Sequence, residues 1–309
     1  MSPAAPSAEP PVAEPPVAED RLRVPAVPAS SLVLVRPGAG GETSVFTVRR
    51  AGTMAFSAHA TAFPGGRVDP ADDLSDRLWE GTDLADWGRR LGLPHEPVGA
   101  QGTLAELDPA EGAGRVLAAA VRETFEETGV LLARDAATGT PVDPARVAAF
   151  PDELRDAVER HEVDFGELLD REGLRPDVGA LVPWSRWITP HGGPRRYDTF
   201  FFAVHLPQGQ SPERMSSEAA SHGWASPAEL LRRFRAGEVN LMAPTWWQLR
   251  TLVDAGEDVH AGRSRFEPLE GVMLVAGQGP VFPHADEYLR DLTAFRAAAQ
   301  VEESKDNIL

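Results

Sequence analysis

The segment Arg122-Glu123-Thr124-Phe125-Glu126-Glu127-Thr128-Gly129 packs three carboxylates and one guanidinium into about two helical turns. On a helix Glu123 and Glu127 are i,i+4 neighbours, and Glu126 lies at i+3 from Glu123. Their carboxylates therefore converge on one side. Like charges at this spacing cost a helix about 0.2–0.5 kcal/mol per pair. They also fall in the last turn before Gly129, a residue placed to end the helix, where the macrodipole disfavours anions. A chain that breaks two local rules in one turn usually gains something elsewhere. A bound divalent cation is such a gain. Clustered carboxylate oxygens suit hard ions, Mg²⁺ or Mn²⁺. The competing reading is a solvated, charged helix end. Upstream, Phe63-Pro64-Gly65-Gly66 offers tight backbone where a carbonyl or amide can approach a metal or a phosphate. An ordinary turn is the alternative there.

Composition narrows the remaining chemistry. The chain has 309 residues, 30 basic against 47 acidic, and a formal charge of −17, which argues against nucleic acid or an anionic membrane as partner. Without cysteine there is no disulfide, zinc-thiolate site, iron–sulfur cluster or thiol nucleophile. Lys305, near the end of the chain, is the only lysine, so P-loop and Schiff-base chemistry are unsupported. His161-Glu162 lacks the second histidine of a zinc-protease helix, and neither a Gly-x-Ser-x-Gly elbow nor a Gly-x-Gly-x-x-Gly loop is present. No apolar run reaches the roughly 18 residues of a membrane span, and Met1 to Pro28 has no signal-peptide pattern. A soluble cytoplasmic protein is expected.

The elements that must position the carboxylates can be read around them. Residues 1–28, with eight prolines, read as a disordered leader outside the fold. Order is expected from Ser31, with a strand over 31–36, a turn at Gly38–Gly41 and a second strand over 43–50. A third strand is expected over Ala60–Phe63, stopped by Pro64-Gly65-Gly66. A polar insertion over about 70–112 carries a short helix at Leu84–Leu91. A helix over Arg115–Thr128 precedes a buried strand at Val130–Ala133. A second, helical insertion covers 135–177. Two strands follow, at 181–188 and 197–205. Ser226-Pro227-Ala228-Glu229 opens a helix as N-cap, N1 and N3, and Pro244 opens another. A strand at 272–275 and a helix at 285–299 end the chain. Mixed strands and helices without a strict βαβ rhythm favour an α/β or α+β layered fold. Trp184, Trp187, Trp246 and Trp247 are expected as packing residues.

Together the two motifs resemble the Nudix hydrolase signature: a Gly, five residues and an acid, then Arg-Glu-aliphatic-x-Glu-Glu-x-Gly-aliphatic. Gly66 fits the first Gly, and Asp72 falls at the first acid. Arg122, Glu123, Glu126, Glu127, Gly129 and Val130 match, while Thr124 replaces an aliphatic residue. The family has seven residues between the first acid and the Arg, whereas here 73–121 intervene, which is 49. Trp184–Pro190, Arg195–Phe201 and Trp224–Glu229 are similar to a long-insertion Nudix subgroup that includes an animal coenzyme A diphosphatase. The similarity covers about Ser31 to Gly256, leaving 257–309 as an extension.

The resemblance implies an α/β/α sandwich with a mixed sheet, and metal-dependent hydrolysis of a diphosphate linked to a nucleoside. It implies Mg²⁺ or Mn²⁺ on Glu123 and Glu127, with Glu126 as third ligand or base, Gly66 at the metal through its backbone, and Arg122 orienting the glutamates. An acid near Glu218 is implied as an extra ligand or base. Arg195 and Arg196 suit a diphosphate clamp, and Arg49 belongs to a motif of coenzyme A-cleaving members. That motif keeps Arg49, Ala51 and Phe63–Gly66 here, but has Ala55 for its Arg and His59 for its Gly. Coenzyme A is accordingly not expected to be a privileged substrate over NADH, ADP-ribose or a nucleotide sugar. The partner is a small nucleotide diphosphate, and a homodimer is allowed. The alternatives are a non-catalytic Nudix-like domain that binds a nucleotide and regulates, and an interaction module built on the leader.

Overall fold

The computed structural model describes residues 24–50, 59–93, 104, 106–189, 195–212, 219–255 and 282–306. The chain opens with β1 (Ala26–Pro37), β2 (Thr43–Arg50), β3 (Ala60–Ala62) and β4 (Gly65–Arg67). The first insertion carries α1 (Leu84–Arg90) and leads into the long helix α2 (Pro109–Thr128). Then come β5 (Ala133–Asp135), α3 (Pro144–Ala148), α4 (Asp152–Glu159), α5 (Phe165–Arg171) and β6 (Leu174–Pro176). The last part holds β7 (Val182–Ile188), β8 (Arg196–His205), β9 (Ala219–Ala225), α6 (Pro227–Arg235), β10 (Asn240–Leu241), α7 (Ala243–Ala255) and α8 (Ala285–Asp306).

A mixed sheet runs β10-β3-β2-β1-β8-β7, with β4 also on β1 and β9 also on β2. The β1–β8 and β10–β3 pairs are parallel and the rest antiparallel. Both faces are covered, so the central strands read as continuous apolar runs. Leu32, Leu34, Phe200 and Phe202 point into a core shared with α2 and the insertions. Val33, Val35, Phe201 and Ala203 point into a second core under α6, α7 and α8. Trp246, Leu249, Phe234 and Tyr288 fill that second layer. The expected α/β/α sandwich is what the chain forms, and the four tryptophans pack in it: Trp184, Trp187 and Trp246 are buried and Trp247 is partly so.

The differences from expectation have local causes. The first strand starts at Ala26, five residues early, because Ala26–Val35 pairs with Arg196–His205 along its whole length. Pro28 has no N–H to give, but its carbonyl accepts from the Val68 N–H at 2.9 Å. Gly65-Gly66 does not end the sheet; it forms β4 against Ser30 and Ser31. Helix α2 begins at Pro109 rather than Arg115. Asp108 caps it, accepting from the Ala110 N–H, with Pro109 at N1. The strand expected at Val130–Ala133 is confined to Ala133–Asp135. In place of a neighbouring strand, the Gln210 side-chain amide meets the Leu131 backbone, at 2.8 and 2.9 Å. The last helix continues to Asp306. The strand expected at 272–275 lies outside the described residues.

Candidate active site

Helix α2 ends where its sequence says it should. Gly129 takes φ +75°, the left-handed conformation that glycine adopts without a Cβ clash, and its N–H caps the Phe125 carbonyl at 2.8 Å. Thr124 and Thr128 point into the core and return their hydroxyls to the Ala120 and Thr124 carbonyls, at 2.8 and 2.6 Å. A polar residue at the family's aliphatic position is thereby satisfied without leaving the core.

Arg122 is the hub of the last turns. Its Nε and Nη2 donate to both Asp72 carboxylate oxygens, at 2.8 and 3.0 Å. Nη1 donates to Glu123 at 3.0 Å and to both Glu126 oxygens at 3.0 and 3.1 Å, and Nη2 also reaches the Arg67 carbonyl at 3.0 Å. Asp72 is 1% exposed. It belongs to a capping box in which the Asp69 side chain accepts from the Ala71 N–H and Asp72 accepts from the Asp69 N–H. The 49 residues between Asp72 and Arg122 leave this contact intact.

The glycine turn meets the same helix. The Gly65 N–H donates to Glu127 at 2.9 Å. A Cβ on Gly66 would stand 2.3 Å from a Glu123 carboxylate oxygen, so a larger residue there would displace that carboxylate. Ser30 fastens β1 to α2 through its hydroxyl and the Val116 carbonyl at 2.6 Å.

One guanidinium thus faces Asp72, Glu123 and Glu126, with Glu127 on the adjacent amide. Burial raises the Glu123 pKa to about 7, the Arg122 charge opposing and Glu126 adding to the rise. Burial likewise raises Glu126 and Asp72 against the pull of Arg122. Burial works against the Arg122 cation too, but its hydrogen bond to Asp72 and the charges of Glu123, Asp72 and Glu126 outweigh this and raise its pKa. The donor chemistry, hard oxygens carrying negative charge in excess of the one cation, fits a hard divalent ion. Among the described residues no three His, Cys, Asp or Glu side chains stand in a metal-holding arrangement; Asp72, Glu123 and Glu126 pair with Arg122.

Among the described residues, the other expected ones make none of these contacts. Arg49 is exposed on β2. Arg195 is exposed just before β8, but Arg196 is 3% exposed and donates to the Thr189 and Val24 carbonyls at 2.9 and 2.8 Å. That use fastens the chain's first described residue to β8. Glu218 and Ala55 lie outside the described residues. His59 takes φ +62°, the backbone conformation a glycine at that motif position would supply.

Residues 26–252 match the family model described as the NUDT19 Nudix domain. A chicken protein named acyl-coenzyme A diphosphatase NUDT19 is 33% identical over 255 residues, covering 70% of this chain and 65% of the relative, slightly under two thirds of its length. The human protein of the same name is 29% identical over 305 residues, covering 89% and 80% respectively. A crystal structure of a Nudix hydrolase from Alicyclobacillus acidocaldarius superposes with a TM-score of 0.57 at 28% identity, covering 78% of this chain and 96% of that one. Among the described residues no helix is long and apolar enough to cross a membrane.

Proposed function

The chain belongs to the Nudix family, and from that premise we propose that it is a divalent-metal-dependent diphosphatase whose substrates are of the coenzyme A type. The observation that carries the activity is the Arg122-centred carboxylate cluster set against the Gly65-Gly66 turn. The substrate class is supported by the names of the chicken and human relatives. The sequence expectation against coenzyme A rested on Ala55 and His59. The φ of His59 weakens half of it, since the glycine-like backbone is kept with a different side chain.

Glu123 and Glu127 would hold the cation, Mg²⁺ or Mn²⁺, with Glu126 as third ligand or as base. When bound, it polarises the phosphoryl group and offsets charge on the leaving phosphate. Arg122 keeps Glu123 and Glu126 oriented, and Asp72 keeps Arg122 in place. Water adds to one phosphorus and the P–O–P bond breaks, giving two phosphomonoesters. The proton leaves to a carboxylate, Glu126 or Glu218.

The test is a substrate panel of coenzyme A, an acyl-coenzyme A, ADP-ribose, NADH and a nucleotide sugar, with and without Mg²⁺ or Mn²⁺. The expected result is metal-dependent cleavage, with the coenzyme A esters ahead in kcat/KM by more than tenfold. A lead for NADH or ADP-ribose would refute the substrate class, and activity without metal would refute the mechanism.

A further inference from the structure

Arg155 lies on α4, in the second insertion. It is 9% exposed, and its Nε and Nη1 are buried without a hydrogen-bond partner. A buried guanidinium with unpaired N–H groups is costly, and a fold that keeps one has a use for it. Its position indicates that use. Arg122, Glu126 and Gly129 follow one row along α2, at i, i+4 and i+7. Arg155 Nη1 stands 3.7 Å from where a Cβ would project from Gly129. The guanidinium is therefore about one helical turn beyond Glu126, on the row that carries Arg122. Glu159, one turn further along α4, acts electrostatically on Glu126, so this face of α4 borders the acidic end of the site. Leu154 and Val158 pack into the core beneath it, and Phe125 of α2 meets Phe150 and Phe165 edge-on and tilted, at centroid distances of 6.3 and 6.2 Å.

A cation that merely complements the helix dipole hydrogen-bonds the last carbonyls. Arg155 Nε and Nη1 make no such bond, and the Phe125 carbonyl is taken by the Gly129 N–H. Arg155 Nε and Nη1 thus have no acceptor, although the Glu159 carboxylate lies one turn further along the same helix.

We propose that Arg155 is a phosphate-binding residue of the active site, supplied by the second insertion, whose unpartnered guanidinium pairs with a phosphate group of the substrate. The inference rests on the diphosphatase reading. It gives the second insertion a role in substrate recognition: the insertion brings a cation to the end of a helix otherwise lined with acids.

The test compares wild type with R155M, which fills the same space without charge, and R155K, which keeps charge without the planar fork. Binding of α,β-methylene-ADP, a diphosphate that cannot be cleaved at its bridge, is measured by calorimetry with Mg²⁺ present. R155M should bind about 10- to 100-fold more weakly, as expected for one lost charge-assisted contact. Its melting temperature should be unchanged or higher, because a buried unpaired charge has been removed. KM should rise more than kcat falls. Comparing coenzyme A with dephospho-coenzyme A locates the contact. Equal losses, with the loss for α,β-methylene-ADP, assign it to the diphosphate; a loss for coenzyme A alone, with α,β-methylene-ADP binding unchanged, would overturn the diphosphate contact and move it to the 3′-phosphate. A lower melting temperature in R155M with unchanged affinity, restored by R155K, would make Arg155 a structural helix partner and overturn the proposal. So would wild-type protein that binds none of these phosphates. Wild type that binds α,β-methylene-ADP through Arg155 yet cleaves nothing in the substrate panel would sink the diphosphatase reading and leave the phosphate site standing.

Discussion

Replacing Glu123 by Gln should move stability and activity in opposite directions. Glu123 ordinarily ionises near 4.5, and burial lifts it to about 7 in the folded, metal-free chain. At about 1.4 kcal/mol for each tenfold change in proton affinity, keeping it ionised costs the fold up to about 3 kcal/mol. Solvent at its 15% exposed side chain and the weaker pairing of a neutral amide with Arg122 reduce the net gain from the substitution to about 1–2 kcal/mol. That corresponds to a rise of roughly 2–6 °C in melting temperature for a domain of this size. The sign follows from linkage. Between about pH 4.5 and 7 the folded chain holds more protons on this group than the unfolded chain does. The favourable contribution is present below the unfolded pKa and is lost as pH rises through the folded one. The gain in E123Q should therefore be full at pH 8 and nearly absent at pH 4.5. Mg²⁺ should stabilise wild type at pH 8 and stabilise E123Q much less. Meanwhile kcat/KM should fall at least about a hundredfold, near 2.7 kcal/mol of transition-state stabilisation. The assay is differential scanning fluorimetry across pH, with and without Mg²⁺, beside steady-state kinetics. A metal-free E123Q that melts lower than wild type at pH 8, or retains activity within tenfold, would refute the reasoning.

Asp72→Ala removes the two Asp72 acceptors from a buried Arg122 that keeps Glu123, Glu126 and the Arg67 carbonyl, and should destabilise the chain by about 1–3 kcal/mol; urea denaturation measures it, and an unchanged stability would show that Arg122 does not depend on Asp72. Glu127→Gln should lose at least about a hundredfold in kcat/KM with little change in metal-free melting temperature, since the Gln carbonyl can still accept from the Gly65 N–H; near-normal turnover removes Glu127 from the cation site. Deleting residues 1–28 should lower the melting temperature, because it removes Val24, which accepts from Arg196, and the Ala26–Pro28 end of β1; an unchanged melting curve would contradict that docking.

What could be read from the chain was what is local. The Arg122–Gly129 turn is legible because its spacing and its glycine sit within one helix end. The Ser226 cap and the Pro244 helix are legible for the same reason. The start of α2 is not legible because 70–112 reads as a polar insertion, although Asp108-Pro109 is a clear cap. Strands β4, β9 and β10 are short or rich in small residues, and β1, β2 and β3 decide their existence. Arg196 showed that composition cannot tell a substrate clamp from a buried fastener, because burial is a property of the neighbours. Arg155 carries no pattern at all. Its interest lies in a partner it lacks, which appears only once α4 is laid against α2.

The ion pair between Asp72 and Arg122 fastens both ends of the first insertion to one point. The extra entropy of closing a 49-residue loop instead of a seven-residue one is only about 2 kcal/mol, since it grows with the logarithm of length. Evolution could therefore thread a sizeable graft through the middle of a catalytic motif at modest thermodynamic expense. The motif is then a shape closed by one clasp, and its two halves need not be neighbours in the gene. A chain opened by circular permutation between Asp72 and Asp108 should still assemble the same turn of helix, because the clasp, rather than the covalent path, brings its halves together.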